Sequence, residues 1–446
     1  MKAVETIKNI WKIEDLRSRI LITTLLVAIY RFGSFVVLPG IDPSALDALR
    51  SQTKGGLLAL LDMFSGGAFS NASIFALGIM PYISASIVIQ LAAIAIPKFQ
   101  KLQREGESGR RKINQYTRYL TVLILLFQAP AYLTNLNYQM KAVGSAVPSG
   151  FFFAFYATII LSAGSMFILW LGERITDKGI TNGISFIILI GIIARLPRAV
   201  TAEFISRTSD NGGGGLVMFL GEIVFLLFVI AAAILLVQGT RKVPVQYAKR
   251  VVGNKQYGGA RQYIPLKVNA AGVMPIIFAQ AIMFIPISFV SFSSTQTSGI
   301  LNQFMDNKGL WYNMVFGLLI IVFTYFYTAI TINPTQMSED MKRNNGFIPG
   351  IKPGKQTKDY IDNIMDRITL PGSIFLAIIA IMPAFTKVFG ISSEFSQFFG
   401  GTSLLILVGV VLDTLQQIES HLLMHHYDGL LKSGRIKGRT GSVAAY

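Results

Sequence analysis

Ten long apolar runs constrain this chain more than anything else in it. They lie at about 20–38, 74–96, 119–136, 152–172, 183–200, 215–238, 271–292, 310–332, 369–389 and 401–420. Each is close to the roughly 20 residues that an α-helix needs to cross a bilayer. None alternates apolar and polar residues as a barrel strand does, so helices are the expected form. Of the 446 residues, 52% are hydrophobic and 14% charged, whereas a soluble domain carries about 25% charged residues. The expected fold class is an all-α integral membrane protein.

The connectors separate by charge. One set comprises the N-terminal segment, 97–118, 173–182, 239–270, 333–368 and the C-terminal tail. It holds 31 of the 40 Lys and Arg, while the rest of the chain is nearly neutral. The positive-inside rule places that set in the cytoplasm. Ten spans return both termini to the same side. They also divide into five plus five, the arithmetic of two inverted halves about an axis in the membrane plane, although the halves show no convincing sequence identity. The expected organisation is 1–200 for spans one to five, 201–420 for spans six to ten, and 421–446 as a tail. The N-terminus is charged and amphipathic, and the first apolar run lacks a small-x-small cleavage site, so it is expected to be retained as a span.

Residues 57–97 read LLALLDMFSGGAFSNASIFALGIMPYISASIVIQLAAIAIP. The first dozen are apolar but too short to span, as re-entrant or interfacial pieces are. Asp62 and the pair Gly66-Gly67 interrupt them, and the glycines offer a backbone hinge. The following span carries Pro81, Ser84, Ser86 and Gln90. Read by itself, the stretch fits a gate and a kinked structural helix equally well.

The connectors 239–270 and 333–368 mix Lys and Arg with Tyr, Gly and Pro. They are long enough to dock a polyanion such as ribosomal RNA, or an acidic protein. GIKPGKQT at 350–357 fails the spacing of a phosphate-binding loop. The chain has no cysteine, which excludes disulfides and thiolate metal sites. His421 and His425 have helical i,i+4 spacing but no neighbouring motif. Charges inside the spans are few: Arg31, Asp413 and Glu222, the last expected in the interface. There is no chain of intramembrane carboxylates of the kind a proton-coupled transporter needs. No catalytic site, cofactor or metal is expected. A secondary transporter for a small solute is the alternative reading, favoured by the broken helix.

Several stretches carry a resemblance. SIFALGIMPYISASIVIQL at 73–91, EGESGRRKINQYTR within 101–118 and LWLGERITDKGITNGIS at 169–185 are similar to signatures of the SecY family. So are YAKR at 247–250, PLKVNAAGVMP at 265–275, FIPGIKPGKQT at 347–357 and GGTSLLI at 400–406. They occur in family order over most of the chain. Two positions depart from the family pattern. Thr181 stands where Gly is usual. Lys352 stands where an Arg is usual, keeping the charge but losing the planar fork of guanidinium.

The resemblance implies ten transmembrane helices in two pseudo-symmetric inverted halves of five, around an hourglass pore closed by a re-entrant plug helix. It implies conduction of unfolded secretory polypeptides across the bacterial inner membrane and sideways release of transmembrane segments into lipid. Implied partners are the small subunits SecE and SecG, the ATPase SecA and the ribosome with its RNA. Signal peptides, nascent chains, membrane lipids and accessory insertion or export subunits complete the set. By motif match a pore ring falls on Ile79, Ile83, Ile184, Ile188, Ile277 and Ile406. The pairs 79/83 and 184/188 each have the i,i+4 spacing that shares a helix face, and β-branched side chains are stiff. The plug and its hinge fall on about 57–70, including Leu57, Leu61, Phe64, Gly66, Gly67 and Phe69. Ser86, Gln90 and Asn182 are candidates for a polar patch at the lateral gate. Docking of ribosome or SecA is expected at Arg241, Lys242, Lys249, Arg250, Lys255, Arg261, Lys352, Lys355 and Lys358.

Overall fold

Lipid offers the backbone no hydrogen-bond partner, so a spanning segment must satisfy itself internally. In a computed structural model the described parts of the apolar runs do so mostly as helices. The structure describes residues 11, 13–42, 62–142, 150–208, 215–247, 250–252, 255–257, 261–280, 282–283 and 309–432. Its helices are α1 (Glu14–Gly33), α2 (Met80–Ala95), α3 (Pro97–Arg104), α4 (Glu107–Ala142), α5 (Phe151–Lys178), α6 (Gly183–Thr208) and α7 (Gly215–Gln238). These are followed by α8 (Leu310–Thr331), α9 (Pro334–Arg343), α10 (Lys355–Val388) and α11 (Gly401–Lys432), with a further helical segment over 274–280. Among the described residues seven helical stretches are long and apolar enough to cross a membrane, and the bent pair α2–α3 makes an eighth. α1 falls outside that group, because it carries Glu14, Asp15, Arg17 and Arg19 in its first two turns and Arg31 in its last.

The chain divides into two compact units. One takes Met1–Ser51, Leu61–Ile192 and Val410–Tyr446; the other takes Gln52–Leu60 and Ile193–Gly409. In the first unit α4 packs on α2, α3 and α5, and α5 packs on α1. Small residues permit close approach where water cannot drive association. A Cβ on Gly164 would stand 2.1 Å from the carbonyl oxygen of Ile74, and one on Gly183 would stand 2.0 Å from that of Gly172. α2 stops at Ile96 before Pro97, and the chain turns through 102° into α3, whose sequence PKFQKLQR is basic and amphipathic. Proline disfavours the helical conformation in the residue before it.

In the second unit α10 packs on α8 and α7. α10 has 34 residues, about 51 Å at 1.5 Å per residue, so it outruns a hydrocarbon core of about 30 Å. Its first 14 residues, 355–368, therefore belong to the connector 333–368, which the apolar pattern alone marks as loop. The two long basic connectors carry the strands β1 (Thr240–Tyr247), β2 (Arg250–Val252), β3 (Lys255–Tyr257), β4 (Arg261–Lys267) and β5 (Gly346–Phe347). None of these strands is expected from the sequence pattern. β1 pairs antiparallel with β4 in the register Thr240↔Lys267 through Gln246↔Arg261, and with β5 through Gln246↔Phe347. β2 and β3 pair as a short hairpin. Val243, Val245, Leu266, Met341, Ile348, Ile361 and Met365 close a separate small core beneath this layer. Alternation along β1 puts Val243 and Val245 inward, as the two-residue period of a strand requires.

Candidate functional site

Residues 65–79 form no helix: they fold into consecutive turns ahead of α2. The apolar run that marks the second span starts at 74, whereas the helix begins at Met80. The reason is local chemistry. Asp62 Oδ1 accepts from Ser70 N at 2.7 Å, and the Asp62 carbonyl accepts from Gly67 N at 2.9 Å and from Ser65 Oγ at 3.0 Å. Ser65 Oγ accepts from Phe69 N at 3.0 Å, and Ser73 Oγ donates to Ala68 O at 3.1 Å. Side chains of Ser and Asp thus offer the backbone an alternative to the helix. Gly66 and Gly67 take φ of +65° and +93°, conformations that glycine adopts without a Cβ penalty. Met63, Phe64, Ala68 and Phe69 of this segment are buried, as is Asp62.

The segment is tied to its surroundings at two levels. At its root, Ala72 O accepts from Leu38 N at 2.9 Å and Ile74 N donates to Val36 O at 3.0 Å, a one-residue antiparallel bridge between Val37 and Ser73. At its tip, three side chains reach backbone carbonyls. Tyr30 Oη donates to Ser65 O at 3.1 Å, Arg31 Nη1 to Gly66 O at 2.9 Å and Tyr132 Oη to Phe69 O at 2.9 Å. The Arg31 guanidinium also lies 5.3 Å from the centroid of the Phe35 ring.

The isoleucines expected to form a ring sit mostly at helix starts. Ile79 is the N-cap of α2 and is buried, with its carbonyl accepting from Ile83 N at 3.1 Å. Ile83 and Ile184 are half-buried, Ile188 is buried one turn into α6, Ile277 is half-buried in the helical segment 274–280, and Ile406 is buried in α11. Gln90 Nε2 donates to Ser86 Oγ at 3.2 Å along α2. Asn182 instead caps α6, its Oδ1 accepting from Ser185 N at 3.4 Å. Thr181, just before it, is buried and donates to Asp413 Oδ2 at 3.1 Å; Gln417 donates to the same oxygen at 3.0 Å. Arg19 donates to Gly179 O at 3.2 Å, which pins the same turn. Glu222, expected at the interface, is buried and paired with Arg207 Nη2 at 2.7 Å. Arg207 also meets Glu203 at 3.1 Å, whose other oxygen accepts from Ser392 N at 3.0 Å.

Residues 73–415 match the SecY family model. The chain belongs to the SecY family. A relative from Thermotoga maritima, the protein translocase subunit SecY, is 40% identical over 443 residues, 98% of this chain and 99% of the relative. A solved structure described as a protein conducting channel superposes with a TM-score of 0.59 at 15% identity, covering 96% of this chain and 95% of that one. Sec61 in a canine ribosome–channel complex gives 0.54 at 14% identity, with the same coverage.

The described basic residues expected to dock partners of this SecY-family chain lie on the strands of the two connectors and on the turn and helix start at 350–358. Arg241 and Lys242 are exposed on β1, opposite Leu266 and Pro265 of β4. Lys352 is exposed in a turn flanked by Gly350 and Gly354, whose φ values are +86° and +102°. Ser338 Oγ donates to Gly354 O at 2.8 Å and Thr357 Oγ1 to Lys352 O at 3.0 Å, which fix that turn. Lys355 is exposed at the start of α10, with Lys358 half-buried one turn on. Arg250, Lys255 and Arg261 lie on β2, β3 and β4; their side chains lie outside the described residues, as do Lys249, Leu57 and Leu61 and the side chain of His425. Nothing in the sequence pattern singles out Tyr30, Tyr132 or Arg207. Arg31 and Asp413 are visible as charges within spans, but their partners are 35 and 232 residues away.

Proposed function

We propose that the chain is the central pore-forming subunit of a Sec protein translocation channel, passing unfolded secretory polypeptides across the membrane and releasing transmembrane segments sideways into lipid. The observation that carries this reading is SecY kinship along 98% of the chain. The physics is consistent. Charged residues at the centre of bare lipid cost about 2.5–3.5 kcal/mol each even on a lenient scale, and a wet path removes that cost. A narrow ring of Ile79, Ile83, Ile184, Ile188, Ile277 and Ile406 would hold back ions by dewetting, yet give a passing peptide no polar partner. Residues 57–70 serve as the plug, and Ser86, Gln90 and Asn182 border the lateral gate.

In this reading the chain is a channel and no enzyme, so the driving energy comes from a partner or from the membrane potential. It works in the bacterial plasma membrane with both termini in the cytoplasm, together with SecE and SecG. SecA or the ribosome docks on the basic layer, at Arg241, Lys242, Lys249, Arg250, Lys255, Arg261, Lys352, Lys355 and Lys358. Lysine and arginine gathered along these connectors suit RNA phosphates or an acidic protein face. A small-solute transporter is not favoured by the relatives. The test is site-specific photocrosslinking from position 83 during export of a secretory precursor. A crosslink to the transiting chain is expected, and export without any such crosslink overturns the pore assignment.

A further inference from the structure

We propose that Tyr30, Arg31 and Tyr132 form a latch on the tip of the plug segment, and that breaking it is the step that frees the tip while the root stays anchored. The proposal rests on the channel reading above, and it assigns to these three side chains a role in holding that channel shut.

The segment has two attachments of different kinds. The root, at 72–74, is bound to 36–38 by backbone hydrogen bonds of 2.9 and 3.0 Å. Proline apart, no side-chain change removes such bonds. The tip, at 65–69, is bound by donors from the neighbouring helices: Tyr30 and Arg31 of α1 and Tyr132 of α4. All three donate to main-chain carbonyls, so the contacts do not depend on which side chains the tip carries. Bonds internal to the segment, Asp62–Ser70 and Ser65–Phe69 among them, keep its turns intact whether or not the tip is seated. The tip can therefore leave largely as a preformed body once its bonds to the root residue Ser73 also give way, from Ser73 N and Oγ to Ala68 O at 3.1 Å each, with the positive-φ residue Ala72 at the junction.

The latch is also well placed to be two-state. Tyr30 and Tyr132 are buried while the tip is seated, so removing either hydroxyl leaves its carbonyl acceptor buried without that partner; an unmade buried hydrogen bond is costly. The rings stay in place independently of the hydroxyls. Tyr30 stacks on Phe75 at 6.3 Å between centroids, and Tyr132 meets Phe69 edge-on at 4.8 Å. Tyrosine-to-phenylalanine changes at these positions remove a bond without removing the packing.

The chain has no cysteine, so a Ser70→Cys reporter, at a buried and nearly isosteric site next to the tip, supplies a single thiol whose exposure follows that of the segment. The full-length chain in membrane vesicles is treated with a water-soluble maleimide, and the labelling rate of the thiol introduced at position 70 is measured. Tyr30→Phe and Tyr132→Phe are each expected to raise the rate about five-fold, and the double change about 25-fold, as two independent bonds of ordinary strength predict. Arg31→Leu is expected to exceed either, with Arg31→Lys restoring part of the protection. Tyr156→Phe removes an exposed tyrosine–carbonyl bond, to Pro39 O at 3.3 Å, away from the tip; it should leave the rate unchanged. A double variant that labels at the parental rate overturns the latch, and so does an equal rise in the Tyr156→Phe control. If labelling rises while ion conductance of the same variants stays at the parental level, the latch stands and the reading of 57–70 as a channel plug fails.

Discussion

Gly66 is the position where one methyl group tests the channel reading most sharply. A Cβ there would lie 2.8 Å from Gly191 Cα and 2.9 Å from Arg31 Nη1, and the residue has φ +65°. The left-handed conformation costs an ordinary residue about 1–2 kcal/mol. Overpacking against backbone adds about 1–3 kcal/mol. The conformational cost persists wherever the turn persists, but the steric cost exists only while the tip is seated. Gly66→Ala should therefore shift the seated–unseated equilibrium toward the unseated state by that steric part, about 5- to 160-fold. Gly78→Ala is the matched control. Its φ is +56°, but a Cβ there meets Ser65 Cβ and Cα at 3.4 and 3.5 Å, which is ordinary contact. It carries the conformational cost without the clash. Ion conductance per channel in planar bilayers, at fixed voltage and without a translocating chain, reads the difference. Gly66→Ala should leak well above the parent and Gly78→Ala should stay near it. Equal conductance in the two variants would refute the claim that the seat of Gly66 against Gly191 keeps the channel closed.

Other consequences are as direct. Arg207→Leu leaves Glu203 and Glu222 buried without their shared cation, and should destabilise the second unit by about 3–5 kcal/mol; a melting temperature within a degree of the parent would contradict that. Thr181→Gly removes a hydrogen bond to the Asp413 carboxylate and should cost about 1.5–3 kcal/mol, read as a lower melting temperature that Thr181→Ser recovers. Ile361→Ala hollows the small core under β1 and β4, and should cost about 2–5 kcal/mol locally. Limited proteolysis should then cut the connectors 239–270 and 333–368 faster while the spanning helices stay protected.

Much of this protein is legible in its sequence, because lipid enforces simple rules. Apolar runs of span length must be helices, and the long helices α4, α5, α6, α7, α8, α10 and α11 fall on expected runs. The family signatures, spread from residue 73 onward, carry the kinship without any knowledge of the fold. Charge asymmetry picks out the connectors that bear the strand layer. What the sequence does not disclose depends on partners far along the chain. The start of α2 slips from 74 to 80 because Ser65, Ser73 and Asp62 take up backbone groups that a helix would have used. β1 reads as a basic loop with a proline, and becomes a strand because β4, β5 and a seven-residue core are brought to it. Arg31, Glu222 and Asp413 stand out as charges in apolar runs, and only tertiary structure gives them Gly66, Arg207 and Thr181. A solvation rule acts residue by residue and can be read from a string. A hydrogen bond or ion pair between distant positions exists only once the chain has closed on itself.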